Sequence, residues 1–127
     1  MNLEKVIFAF FIVLALTLNF GFFLGDIDKP EHHNVYELFA AIVVSLIATV
    51  LKAGDKTHLG AVLLATSLVV DLQLIVAAIV WAYAVNVSQA GLDVGMTSVI
   101  VSMSGGALLA NITSVILLVS ETLMVRR

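Results

Sequence analysis

Residues Leu59 to Val85 read LGAVLLATSLVVDLQLIVAAIVWAYAV, and in this run the only charged side chain is Asp71. A helix needs roughly 20 mainly apolar residues to cross about 30 Å of hydrocarbon, and this stretch exceeds that. Three others qualify: Val6 to Gly25, Val35 to Leu51, and Met96 to Val125. The second is short, but Asp28 followed three residues later by Glu31 is a capping-box pattern, with Pro30 in the first turn. Its helix is therefore predicted to begin near Lys29. The predicted spans are about 6–25, 30–51, 59–85 and 96–125. Helices are expected because the backbone must satisfy itself in lipid, and the alternation of a barrel is absent.

Composition agrees. The chain has 127 residues, 61% hydrophobic and 12% charged, with a mean hydropathy of +1.14. A water-soluble domain usually carries about twice that share of charge, so lipid is expected to cover the surface. The length allows one domain, here a single membrane domain over 1–127. The net charge of −3 and the lack of a basic stripe argue against a nucleic-acid partner. The absence of cysteine excludes disulfides, thiolate zinc sites and cysteine nucleophiles. The first apolar stretch is too long for a signal-peptide core and no A-x-A site follows it, so it is read as a retained span.

Short connections at 26–34, 52–58 and 86–95 make neighbouring helices antiparallel. Gly54 suits the end of the second helix, and Asp55 or Thr57 the cap of the third. Lys5, Lys52, Lys56, Arg126 and Arg127 fall on one side, against Lys29 alone on the other. The positive-inside rule then gives an N-in, C-in, all-α antiparallel four-helix bundle. The two hairpins do not repeat each other, so an inverted-repeat transporter core is not supported.

Asp71 lies twelve residues from Leu59, or about 18 Å along a helix and close to the bilayer centre. A charge there costs on the order of 3 kcal/mol or more, and no lysine or arginine lies at that depth. Asp71 is expected to be neutral, or to share a cation or water with other acceptors. A protonated aspartate bonded between helices is the plainer alternative to an ion or proton role. Ser67 and Asp71 share one face of the helix, and Thr66 and Gln73 another. Two polar faces suggest a second protein surface beyond the chain's own bundle, most simply another copy. Asn19 and Asn111 suit interhelical hydrogen bonding. Asp71, Ser67, Gln73 and Asn111 are the candidate ion or proton pathway. Glu121, near the inner end, can be satisfied by Arg126 or by snorkelling.

Small residues recur every fourth position in the last span, at Ser98, Ser102, Gly106, Ala110 and Ser114, and more briefly in the first, at Thr17, Gly21 and Gly25. Such rows let helix backbones approach closely. The pair Gly105-Gly106 could instead break the helix and present carbonyls to a cation. Asp26, Asp28, Glu31, His33 and Glu37 crowd the outer loop with His32. They form either a cation-attracting funnel or a solvated acidic loop, with His33 and Glu37 four apart on a helix and able to pair; no dedicated metal site is expected. The phenylalanines of the first span are read as lipid-facing, and Trp81, Tyr83 and Tyr36 as an aromatic belt.

The stretch Asn19-Phe-Gly-Phe-Phe-Leu-Gly-Asp26, the run Pro30-Glu-His-His-Asn-Val-Tyr-Glu37 through Leu51-Lys52, and Ser104-Gly-Gly-Ala-Leu-Leu-Ala-Asn111 together resemble a family of small bacterial inner-membrane proteins of unknown function. The resemblance implies a multi-pass bacterial cytoplasmic-membrane setting and transfers no catalytic or binding residue. No phosphate loop, HExxH or GxSxG element is present, no histidine lies within a span, and neither an enzyme nor a cofactor is expected. Two functions fit. One is a homo-oligomer involved in, or accessory to, cation or proton transport. The other is a structural or assembly subunit of a larger membrane complex, with a different membrane protein as partner.

Overall fold

A computed structural model describes residues 3–24, 33–55, 57–89 and 91–126. They form four helices and, among the described residues, no strand: α1 (Leu3–Phe23), α2 (Val35–Ala53), α3 (His58–Asn86) and α4 (Val94–Arg126). All four are long and apolar enough to cross a membrane, which makes this a multi-pass membrane protein. Each helix packs on its chain neighbours, and α4 closes the ring on α1.

Neighbours are antiparallel, as side-chain contacts show. Near the termini, the Lys52 ammonium at the end of α2 sits over the ring of Phe8, near the start of α1. At the same end Lys5 of α1 meets Glu121 of α4 at 3.5 Å. Farther along, Asn19 of α1 bonds Ser104 of α4, and Thr66 of α3 bonds Ser114 of α4.

Helix boundaries follow local chemistry. Asn34, in extended conformation, caps α2 by accepting from the Tyr36 N–H at 2.8 Å. That corrects the expected start near Lys29: His33 and Asn34 are not helical, and α2 has 19 residues, about 28 Å at 1.5 Å each. The proposed cap at Asp28 and Glu31 lies outside the described residues. Gly54 ends α2 and Thr57 caps α3, its hydroxyl oxygen accepting from the Gly60 N–H. Asp55 in turn accepts from the Thr57 N–H and hydroxyl at 2.9 and 2.7 Å. Helix α4 runs unbroken through Gly105 and Gly106, so no carbonyls are released there for a cation.

The interior mixes small residues, among them Ala15, Ala41, Ala48, Ala77 and Ala107, with large ones such as Ile12, Leu38, Leu74 and Ile100. Other large apolar side chains, among them Phe10, Leu72, Ile79 and Leu109, face outward. A lipid solvent permits that exposure, because apolar surface gains nothing from hiding from it. Two phenylalanines depart from the lipid-facing reading. Phe8 and Phe22 are buried, because they fill space beside small residues of neighbouring helices. Trp81 packs on Phe22, with ring centroids 6.1 Å apart, while Tyr36 and Tyr83 are exposed as a belt requires.

Candidate functional site

The apolar core is divided in two. One cluster, toward the termini, joins Phe8, Ile12, Ala48 and Leu63. The other, toward the opposite end, joins Phe22, Leu38, Ala41, Val70, Leu74, Ala77, Ile100 and Ala107. Along α2, α3 and α4, the residue between the two clusters identifies the layer that separates them. On α2 this is Ser45, between Ala41 and Ala48. On α3 it is Ser67, between Leu63 and Val70, with Asp71 one turn on. On α4, Asn111 follows Ala107 by one turn. All four polar residues are buried. The middle of the bundle is therefore a polar layer held between two apolar ones.

Asp71 is the centre of this layer, and α2 supplies its partners. The Ser45 hydroxyl lies 2.6 Å from Oδ1 and the Thr49 hydroxyl 2.6 Å from Oδ2. Thr49 Oγ1 is also 2.9 Å from the Ser45 carbonyl. Ser45 and Thr49 are one turn apart, so a single face of α2 presents both hydroxyls to both carboxyl oxygens. The ion pairs Lys5–Glu121 and Lys52–Asp55 both lie near the termini, and neither involves Asp71. The sequence located Asp71 but not Ser45 or Thr49. Their spacing of four on a helix facing Asp71 was the available signal.

The other pathway candidates divide between two interfaces. The Gln73 amide rests against Gly106, in the space a side chain there would fill, and its Oε1 has no hydrogen-bond partner. The Ser67 hydroxyl and both amide atoms of Asn111 are likewise buried without partners. The Thr66–Ser114 bond at 2.6 Å sets α3 against α4, and puts Ser67 and Asn111 near one level. Asp71 thus faces α2, whereas Thr66 and Gln73 face α4. Both polar faces of α3 are engaged within one chain, because a four-cornered bundle gives each helix two neighbours. The two faces therefore do not require a second protein surface.

The packing candidates also sort by position. Gly106 and Ala110 lie at helix contacts, but Ser102 is exposed. The row leaves the interface because buried α4 positions follow Thr97, Ile100, Ser104, Ala107, Asn111 and Ser114, which drift around the helix relative to a strict repeat of four. Gly21 leaves room for the Glu37 carboxylate of α2, whereas Gly25 lies outside the described residues.

Of the loop candidates, Asp26, Asp28 and Glu31 also lie outside the described residues. His33 precedes α2, so it and Glu37 are not four apart on one helix as expected. It is buried, and its Nδ1–H donates to the Phe22 carbonyl at 2.6 Å, tying the start of α2 to the end of α1. No group of three or more metal-ligating side chains is found among the described residues. Glu121 is met by Lys5 of α1 at 3.5 Å.

A family model matches residues 32–122, most of the chain, and covers α2, α3 and the greater part of α4. The chain belongs to DUF6394, a family of unknown function. The DUF6394 match includes Ser45, Thr49, Ser67, Asp71, Gln73 and Asn111, and leaves out all of α1. No curated protein and no solved structure matches the chain.

Proposed function

We propose that this DUF6394 member takes part in proton or small-cation movement across a bacterial cytoplasmic membrane, directly or as an accessory, with Asp71 as the ion-binding group. One observation carries the reading. A buried carboxyl stands midway along a membrane-spanning helix, both its oxygens engaged by hydroxyls, with no lysine or arginine among the described residues in ion-pairing contact. Ionisable groups at such depth are costly, and they mark relays and ion paths more often than inert packing. Ser67 and Asn111 add unpartnered, buried hydrogen-bonding atoms to the same polar layer. A cleft of about 750 Å³ near the termini, lined by Lys5, Phe8, Lys52 and Asp55 among others, reaches to within one turn of Thr49. The N-in, C-in orientation and self-association belong to the same proposal; reporter fusions at both termini and the mass of the protein in mild detergent test them.

The decisive experiment reconstitutes the protein in liposomes containing a pH-sensitive dye and imposes a potential. Proton or cation uptake is expected for the native chain and its loss for Asp71→Asn. Equal flux in the two, with intact assembly, would remove transport.

A second reading is a subunit that assembles with another membrane protein and moves nothing. Its supporting observation is that the interior polar groups also serve as helix-to-helix ties, at Asn19–Ser104, Ser45–Asp71 and Thr66–Ser114. Co-migration with one stoichiometric partner on native gels, without flux from the isolated chain, would favour it.

A further inference from the structure

We infer that Ser45, Thr49 and Asp71 form a proton-binding site whose resting form is the neutral carboxylic acid. The inference rests on the reading of Asp71 given above and deepens it by naming the proton, rather than a metal cation, as the bound species.

The cluster has more hydrogen-bond contacts than its hydroxyls have hydrogens. Three oxygen–oxygen contacts hold the cluster: Ser45 Oγ to Asp71 Oδ1 at 2.6 Å, Thr49 Oγ1 to Asp71 Oδ2 at 2.6 Å, and Thr49 Oγ1 to the Ser45 carbonyl at 2.9 Å. Each full hydrogen bond needs one hydrogen. Two hydroxyls supply two, and a carbonyl and a carboxylate supply none. The third is the acid's own. With Asp71 protonated at Oδ2, the acid donates to Thr49 Oγ1, Thr49 donates to the Ser45 carbonyl, and Ser45 donates to Oδ1. Every contact is then filled and no charge is buried. If Asp71 ionises, one hydrogen leaves, and the Thr49 hydroxyl must turn from the Ser45 carbonyl toward Oδ2.

The short distances do not require an ionised partner. Ser104–Asn19 and Ser114–Thr66, pairs of uncharged side chains, are also at 2.6 Å. Among the described residues, no lysine or arginine pairs with Asp71 to compensate a carboxylate. On α2, Lys52 lies a turn from Thr49 but is held by Asp55 at 3.3 Å and by the Phe8 ring; Glu37 and Tyr36 are at the far end of the helix. On α3 the other titratable groups are His58 at the start and Tyr83 near the end, and on α4 they are Glu121 and Arg126 near the terminus.

Infrared spectra of the native protein and Asp71→Asn in liposomes at neutral pH test this without any flux, so it can fail independently of transport. The difference spectrum is expected to show a carboxylic-acid C=O stretch, lost in Asp71→Asn, lowered in D₂O and raised in Thr49→Val, where the acid loses its acceptor. Asn also offers an N–H where the acid offers its O–H, so Asp71→Asn should keep the native thermal midpoint while Asp71→Leu lowers it. Carbon-13 labelling of aspartate in the unsubstituted chain gives a second readout that does not depend on a variant folding. A carboxylate signal for Asp71 at neutral pH, or an acid band abolished by sodium at constant pH, would overturn the assignment.

Discussion

Asn19 uses both ends of its amide on one residue. Its Nδ2 donates to the Ser104 carbonyl at 3.1 Å, and its Oδ1 accepts from the Ser104 hydroxyl at 2.6 Å, all fully buried. Buried polar ties between membrane helices average about 0.6 kcal/mol and reach about 1.7, because the separated helices find other partners. Asn19→Ala should therefore destabilise the bundle by roughly 1–2 kcal/mol, since it also strands the Ser104 hydroxyl. Reversible unfolding in mixed micelles measures this, and a cycle with Ser104→Ala should recover a coupling of about 0.6 kcal/mol or more. An additive cycle would mean the pair does not act as a unit. Asn19 was legible in the sequence as interhelical glue, and Asp71 as the group at mid-depth, because a polar residue in an apolar run stands out. Their partners were not. Ser45, Thr49 and Ser104 are ordinary residues for a membrane helix, and which hydroxyl meets which carboxyl depends on a register between helices that no local pattern encodes.

At the scale of the element, the junction of α2 and α3 is the best-specified turn. The Thr57 hydroxyl and then the Thr57 N–H hold the Asp55 carboxylate, with Lys52 adding to them against some desolvation, and its pKa falls from 3.8 to about 2. A carboxyl that releases its proton more readily when folded stabilises the fold above its unfolded value. That contribution is complete above about 3.8 and fades as the pH falls toward about 2. Exchange protection of the Thr57 and Gly60 amides should drop through that window, and Asp55→Ala should remove the drop. At the contact of α3 and α4, a Cβ on Gly106 would lie 2.8 Å from the Gln73 amide, the end of a flexible side chain. Gly106→Ala should thus cost little, since Gln73 can move, whereas Gly106→Leu should separate the helices and lower the thermal midpoint clearly. Combining Gly106→Leu with Gln73→Ala should restore part of the loss. The spans themselves were legible because hydropathy over twenty residues is a strong signal. The start of α2 was not: an acidic pair spaced as a capping box precedes Asn34, and the side chain that caps the described helix is that of Asn34.

For the whole molecule, the question is which parts make one unit. The family model begins at residue 32, yet the bundle does not close without α1. Phe8 and Ile12 complete one apolar cluster, Phe22 the other, and Asn19 satisfies Ser104. Lys5 neutralises Glu121, and the Phe22 carbonyl holds His33 at the entry to α2. In lipid these contacts cannot be replaced by hydrophobic collapse, because removing α1 leaves a groove that acyl chains fill with loose contacts and no hydrogen bonds. The groove would also open one side of the polar layer, where Ser45 lies between Ala41 and Ala48 on the helix that packs against α1. A chain beginning at residue 33 should therefore insert but fail to hold the α2–α3–α4 arrangement. With no native cysteine, Ser45→Cys and Asp71→Cys can be introduced together without background. Oxidative cross-linking of that pair should be efficient in the full chain and weak in the truncated one. Co-expressing α1 as a separate segment should restore it, as expected if α1 contributes by packing rather than by covalent connection. Cross-linking that is equally efficient without α1 would show that the matched region is a self-sufficient three-helix unit.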